Sequence, residues 1–266
     1  MSNQSVDLAT VRWPGVPFPL AQHLILAGLR GSSAHGTWIA PTDPQGIDDV
    51  DILGVCIPPP AFHLGIRTWT HAEAIQEQWD VVLYGLQKFI GLLCQQNPNS
   101  LCLLWLDPGD YFLVTPIGRR LIEHRMLFRS RQRAFDCIMG YAHGQLKRMV
   151  SFGAGLGYMG AKRKALVEKF GLDTKNASHL IRLLHMGYEY LTTGELQVRR
   201  TTDAAHLIAI KRGEVSREAI EAEAEEYFQK CREALATSPL PEEYDMDAIN
   251  ALSIGCHLDA WVMGPL

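Results

Sequence analysis

At 266 residues, 47% of them hydrophobic, the chain is long enough to bury a sizeable core and to form one or two domains. A net charge of −4 argues against a general electrostatic pull toward nucleic acid or anionic membrane. No run approaches the roughly 18 apolar residues of a spanning helix, and Met1 to Trp13 lacks a basic segment followed by an apolar stretch, so the expectation is a cytoplasmic chain without membrane contact.

The apolar run Leu24–Leu29 predicts a buried strand that delivers Gly31-Ser32 to a tight turn. A loop punctuated by Pro41, Pro44 and Gly46 leads to a second strand over 49–57, and a third is predicted over 75–83. A helix over 85–96 stops at Asn97-Pro98, and Leu101–Leu106 reads as core. From about residue 115 helical periodicity takes over, with helices predicted near 117–127, 131–151, 161–170, 174–193, 203–212, 216–236 and 246–256. The expected class is α+β: a small mixed sheet in residues 1–115, then an all-helical domain in 116–266 closing over the site. Six cysteines, at 56, 94, 102, 137, 231 and 256, form no C-x-x-C pair and read as reduced core thiols. His35, His63 and His71 match no zinc spacing and read as surface or loop residues. Lys88 reads as a helix-surface lysine, Gly153–Gly157 as an interhelical hinge, and the acidic run Glu218–Glu226 as the wet face of a helix.

Chemistry concentrates at Asp49 and Asp51, which alternate with Val50 and Ile52 and so are expected on one face of the second strand. Two carboxylates there are costly to keep ionised without a cation, and magnesium suits them because it takes hard carboxylate oxygens and shares its shell with phosphates. The Gly31-Ser32 turn offers backbone N–H groups and a hydroxyl to such phosphates. The plain alternative is a solvated turn at Asp48 and Asp49 before an edge strand.

Strand, Gly-Ser, loop and then Asp-x-Asp resembles the signature of the DNA polymerase beta-like nucleotidyltransferase superfamily. A closer likeness, to a bacterial and phage branch of predicted nucleotidyltransferases, is carried by Gly31–Val55, Leu86–Ile90 with Asn97–Asn99, Gly160–Lys164 and Asp173–Leu184. The resemblance implies a magnesium-dependent, two-metal transfer of a nucleotidyl group from a nucleoside triphosphate, ATP among them, with Mn2+ as a possible substitute. It implies a third carboxylate on a later strand, best matched by Asp80, with Glu77 as the fallback, so that Asp49, Asp51 and Asp80 form the catalytic and metal-holding set. Gly31 and Ser32 are then expected to hold the β- and γ-phosphates. Ser33 departs from the pattern, since many relatives place a basic or larger polar residue there.

Lys175, His179, Arg182, Met186 and Glu189 follow one another at helical spacing, so that they share one stripe. Cationic groups on that stripe suit a triphosphate or its pyrophosphate leaving group, and Lys162, with Arg163 and Lys164, is expected to add to the same field. A solvated basic face is the bland reading of the same pattern. Arg119, Arg120, Arg125, Arg129, Arg131 and Arg133 form the densest basic stretch and are the best hint of nucleic acid. The acceptor is left open between an RNA end, a protein hydroxyl and a small molecule. A catalytically silent nucleotide- or nucleic-acid-binding module of the same fold is the alternative function. Ala251–Ile254 and Ala260–Met263 pack either on the chain's own core or on a second subunit, so the oligomeric state is open, with the chain's own core weakly favoured.

Overall fold

The structure, a computed structural model, describes residues 16–40, 42–44, 46, 49–76, 79–150 and 161–263. In chain order the strands are β1 (Leu24–Arg30), β2 (Val50–Cys56), β3 (His71–Gln76), β4 (Trp79–Gly85) and β5 (Tyr111–Val114). The helices are α1 (Gly31–His35), α2 (Leu86–Cys94), α3 (Pro98–Cys102), α4 (Pro116–Glu123), α5 (Arg131–Val150), α6 (Ala161–Phe170), α7 (Thr174–Thr193), α8 (Ala204–Lys211), α9 (Arg217–Thr237) and α10 (Met246–Met263). The fold is α+β, as the sequence leads one to expect.

The described residues divide into two compact units. The first takes in the chain up to Ala34, Val50–Arg129 and the chain from Tyr244 on; the second takes in His35–Asp49 and Ser130–Glu243. Helices α4 and α10 lie beyond the boundary expected at residue 115 and belong to the first unit, whereas residues 35–49 lie before it and belong to the second.

The first unit carries one sheet in the order β3-β4-β2-β1-β5. β2 and β4 run parallel, and every other neighbouring pair is antiparallel. The central strands are apolar on both faces, which is the pattern of a sheet covered on both sides; in β2, Ile52, Leu53 and Val55 are all buried. On one face Leu24, Ala27, Ile52, Cys56, Val81 and Leu83 form a continuous cluster with Leu20. α2 buries Leu86, Phe89, Ile90 and Leu93 at helical spacing and lies against β2 and β4. Each such side chain contributes about 1.5–3 kcal/mol when fully buried, so the strand ends beside it are held on a well-packed base.

Three local expectations are corrected. The strand predicted over 75–83 is two strands, with Gln76 paired to Trp79. Among the described side chains of the extra strand only the small Ala72 and Ala74 are buried, which leaves little periodic signal. β5 is four half-buried residues at a sheet edge, too short to show a period. Gly31–His35 is a short helix rather than a tight turn alone. The cysteines are all free; five are buried and Cys137 is intermediate. Burial pushes the Cys137 thiol up to about 11 and that of Cys231 to about 12, which keeps them protonated. On α10 Leu252 is buried, but Ile254, Leu258 and Val262 are exposed. The Ala251–Ile254 and Ala260–Met263 stretches are therefore only partly absorbed by the core.

The second unit is built around α7, which touches α5, α6, α8 and α9. Asp173 caps its start by accepting from Asn176 N–H, and Gly194, at φ +76°, closes its end in the left-handed conformation. No described helix is long and apolar enough to cross a membrane.

Candidate active site

β1 ends at Arg30, and the chain turns at once through Gly31 with φ +61°. A Cβ at Gly31 would stand 2.3 Å from Asp51 Oδ2. The backbone conformation there favours glycine, and a Cβ would displace the Asp51 carboxylate from its place. Ser32 and Ser33 follow, both buried. Ser33 Oγ has no hydrogen-bond partner among the described residues, an arrangement that costs about 1–3 kcal/mol unless a ligand or water meets it.

Strand register gathers the acids. Arg30 is paired with Asp51 across β1 and β2, and Asp51 with Asp80 across β2 and β4. Directly registered residues share a face. Arg30 Nη2 accordingly stands 3.2 Å from Asp51 Oδ1 and 3.6 Å from Asp80 Oδ2. These contacts are longer than the roughly 2.7–2.9 Å of a tight charge-assisted bond, and all three side chains keep solvent access, 38% in the case of Asp80. Asp49 is exposed and immediately precedes β2. The ladder begins at Val50, so strand alternation fixes the side of Asp51 and not that of Asp49. Glu77 and Asp48 lie outside the described residues. Lys88 places its ammonium 4.9 Å from the centre of the Tyr84 ring.

Among the described residues no group of three or more His, Cys, Asp and Glu side chains stands close enough to hold a metal ion. Asp51 and Asp80 nonetheless suit a hard divalent cation. They are carboxylates on one face, partly open to solvent, with a guanidinium already drawn to both.

A separate cationic cluster lies within the second unit. On α7 Arg182 is buried and donates to Met186 Sδ at 3.1 Å. Lys211, at the end of α8, is buried and donates to Thr37 O at 2.8 Å. His35 is buried with Nδ1 2.9 Å from Val198 O. Burial first, and then Arg182, hold the His35 pKa well below its ordinary value. The same two causes, with Lys211 and Lys175 adding, depress His179. Both rings are thus neutral at pH 7, amid cations whose field favours an anion.

The structure brings Lys175, His179 and Arg182 into this one field. It does not extend the stripe to Glu189, which forms a forked ion pair with Arg200 at 2.5 and 2.7 Å. Arg163 forks the capping carboxylate of Asp173 at 2.7 and 3.3 Å, so it serves the helix start. Lys162 belongs to α6, and its side chain lies outside the described residues. His35 is corrected from loop histidine to buried member of the cluster; its one sequence signal was its position directly after Gly31–Ala34. His63 is a loop residue, as expected, but half-buried: its ring lies 4.7 Å from that of His257 and 5.5 Å from that of Trp261. His71 is exposed, with Nδ1 3.0 Å from Thr70 Oγ1. In the acidic run Glu223 departs from a wet face, because its carboxylate reaches both His185 and His206. Arg30 and Lys211 escaped sequence reading altogether, since each finds its partner through register or tertiary packing.

Comparison with solved structures finds a nucleotidyltransferase-like protein from Exiguobacterium sibiricum 255-15 at 12% identity, covering 89% of this chain and 72% of that one, with a TM-score of 0.27. No curated protein matches the chain. A family profile, RlaP, matches residues 6–254. Over that span, with Gly31 seated against Asp51 and Asp51 registered beside Asp80, the chain belongs to the RNA repair pathway DNA polymerase beta family.

Proposed function

We propose that the chain is a magnesium-dependent nucleotidyltransferase that moves a nucleoside monophosphate from a nucleoside triphosphate, ATP among the donors, to the hydroxyl of an RNA end. The observation that carries this reading is the Asp51–Asp80 pair, brought side by side by the β2–β4 register next to Gly31. The RNA repair description of the family supports RNA over a protein or small-molecule acceptor. The acceptor oxygen forms a bond to the α-phosphorus, the bond from that phosphorus to the oxygen bridging the β-phosphorus breaks, pyrophosphate leaves, and the hydroxyl proton is lost to solvent or a carboxylate.

Asp49, Asp51 and Asp80 would hold Mg2+, or Mn2+ in its place, and the ion when bound supplies neutralisation of charge around the α-phosphate. Asp80 is assigned the nucleophile side. Gly31 N–H and Ser32 are assigned the β- and γ-phosphates, with the orphan Ser33 hydroxyl as a further donor. Lys175, His179 and Arg182, with Lys162 as an additional cation, are assigned to the triphosphate and its leaving group. Neutral imidazoles suit that role because His179 can donate a hydrogen bond without titrating near neutral pH.

The test is transfer of label from each α-labelled nucleoside triphosphate into RNA, protein and small-molecule fractions, wild type beside Asp51→Ala. Label in RNA with the wild type alone supports the reading. Label in both proteins, or in neither, defeats it and leaves the silent nucleotide-binding module in its place.

A further inference from the structure

Within the first unit, away from Asp51 and Asp80 in sequence, a cavity of about 350 Å³ opens between the segment 104–111, the end of β5 and α4 with the residues after it. That volume lies in the range of about 300–1,000 Å³ typical of small-molecule sites. Its inner wall is apolar and aromatic, including Trp105, Tyr111, Val114 and Ile122, and two arginines, Arg119 and Arg125, complete the lining. Tyr111 turns its hydroxyl away to Leu103 O at 2.7 Å, leaving its ring for the cavity wall. Arg125 lies with its guanidinium carbon 5.5 Å from the centre of the Trp105 ring. Its Nε is buried with no hydrogen-bond partner among the described residues. Arg119 is exposed and also lines a shallow depression next door with Arg120 and His124.

The chemistry of this lining selects its occupant. Flat apolar walls take an aromatic ring, and an arginine that stacks on an aromatic while holding an unmet N–H takes an anion beside that ring. A nucleotide is a ring with an attached anion, and on the RNA reading it is the occupant such a lining fits. Two arginines at separate positions of the lining, Arg119 and Arg125, argue for two flanking phosphates rather than one. From Leu104 to Arg129, the stretch that borders the cavity, the sequence has Arg119, Arg120, Arg125 and Arg129 against Asp107, Asp110 and Glu123, a net of 4 − 3 = +1 in a chain of net −4. Arg120 is tied to Asp259 at 2.6 Å, and Arg129, which donates to Met126 O, does not line the cavity, which leaves Arg119 and Arg125 as the residues assigned to ligand phosphates. The strand that forms one wall is itself part of the catalytic sheet: Tyr111 is registered with Gly28 on β1, three residues, or about 10 Å, before Gly31.

We infer that this cavity is a subsite for one unpaired nucleotide of a single-stranded RNA, the base entering between Trp105, Tyr111 and Ile122 and the flanking phosphates meeting Arg119 and Arg125. The inference rests on the reading of the acceptor as RNA. It is tested without any nucleotide donor, by fluorescence anisotropy of a labelled, unstructured RNA of about 12 nucleotides bound to the whole protein across a salt series. Arg119→Ala, at an exposed position, is expected to weaken binding about 5- to 10-fold and to lower the slope of log affinity against log salt by about 0.7. Ile122→Trp, which fills the cavity, is expected to weaken binding similarly while leaving most of the salt slope. Thermal melting of each variant separates these losses from unfolding, and Arg119→Ala keeps the test open if Ile122→Trp does not fold. Wild-type affinity in folded Arg119→Ala overturns the subsite, as does failure of the wild type to bind RNA. Equal competition by polyglutamate overturns it too, because a general anion surface then accounts for the binding. Pyrophosphate release measured separately with small-molecule acceptors shows whether the transfer reaction stands when the subsite falls.

Discussion

The molecule holds two clusters of carboxylates and cations, and they are built in opposite ways. In the second unit Arg200, only 2% exposed, forks both Glu189 and Asp203 through contacts of 2.5–2.9 Å. Asp203 continues to His185 at 2.8 Å, His185 to Glu223 at 2.9 Å, and Glu223 to His206 at 2.8 Å. In the first unit one nitrogen of Arg30 reaches Asp51 and Asp80 at 3.2 and 3.6 Å, with solvent access on all three. A network forked tightly around a buried guanidinium exchanges partners with difficulty, so its charges serve architecture by pinning α7 to the start of α8 and to α9. Two carboxylates open to solvent and held at 3.2 and 3.6 Å from a guanidinium can still admit another cation. Charge alone does not mark a site; the slack in its pairing does.

The largest expected effect breaks the comparison on the catalytic side. Asp51→Asn or Asp80→Asn should lower transfer by about 10³-fold or more, at least about 4 kcal/mol in the barrier, with melting temperature close to wild type. Asparagine keeps the size of the side chain while removing its charge. Unimpaired transfer in a folded Asp51→Asn protein places the chemistry elsewhere.

The reverse pattern is expected from the architectural cluster. Arg200→Met leaves Glu189 and Asp203 without their shared partner and should cost about 3–5 kcal/mol of stability. Chemical denaturation reads this as a lower midpoint. An unchanged midpoint shows that the forked pair contributes only what a hydrophobic side chain of like volume does, and removes the contrast with Arg30.

Arg30→Gln sharpens the contrast further. If the guanidinium competes with a divalent cation for the carboxylates, its removal should tighten cation binding about 5- to 10-fold, on the order of 1 kcal/mol. Titration with terbium, followed by its luminescence, reads this in the absence of nucleotide. Weaker terbium binding in Arg30→Gln makes the arginine a positioning group for Asp51 and Asp80 rather than a competitor.

Much of this was legible because it is local. Gly31-Ser32 and Asp51 announce themselves by residue type and spacing, and α7 by a capping Asp173, a terminal Gly194 and a long apolar period. What stayed hidden depends on pairing between distant segments. Arg30 acquires meaning only when β1 lies antiparallel to β2, whereas Asp80, expected from the family pattern, gains its place beside Asp51 from the parallel register of β4 with β2. His35 looked like a loop residue because polar neighbours surround it in sequence, whereas its burial comes from contact with Val198, 163 residues away. Glu223 sits in a run that reads as solvated, and one turn of helix decides that it alone meets His185 and His206.

The smallest effect, in pH dependence, isolates the architectural cluster from the rest of the chain. Burial of His185 opposes its charge, but Asp203 and Glu223 outweigh that and raise its pKa above the ordinary 6.5. A raised folded pKa gives stability that is complete below the unfolded value, about 6.5, and is lost as pH rises through the folded value. Burial opposes the charge on Asp203 and Glu223 as well; His185, with Arg200 for the former and His206 for the latter, outweighs it and lowers both pKa values. Their contribution is present above the ordinary carboxylate range, about 4, and lost as pH falls through the depressed values. His23, His35, His63, His179 and His257 pull against His185, since burial lowers each of them and their contribution fades as pH falls below 6.5. The wild-type profile alone therefore mixes opposing trends, and the readout is the difference between wild type and His185→Gln. That difference in melting temperature should be largest near pH 6 and shrink toward pH 9, because only the wild type has an imidazolium to lose. A difference that is constant over this range means His185 acts through packing against Tyr227, whose ring centre lies 4.0 Å away, and not through its charge.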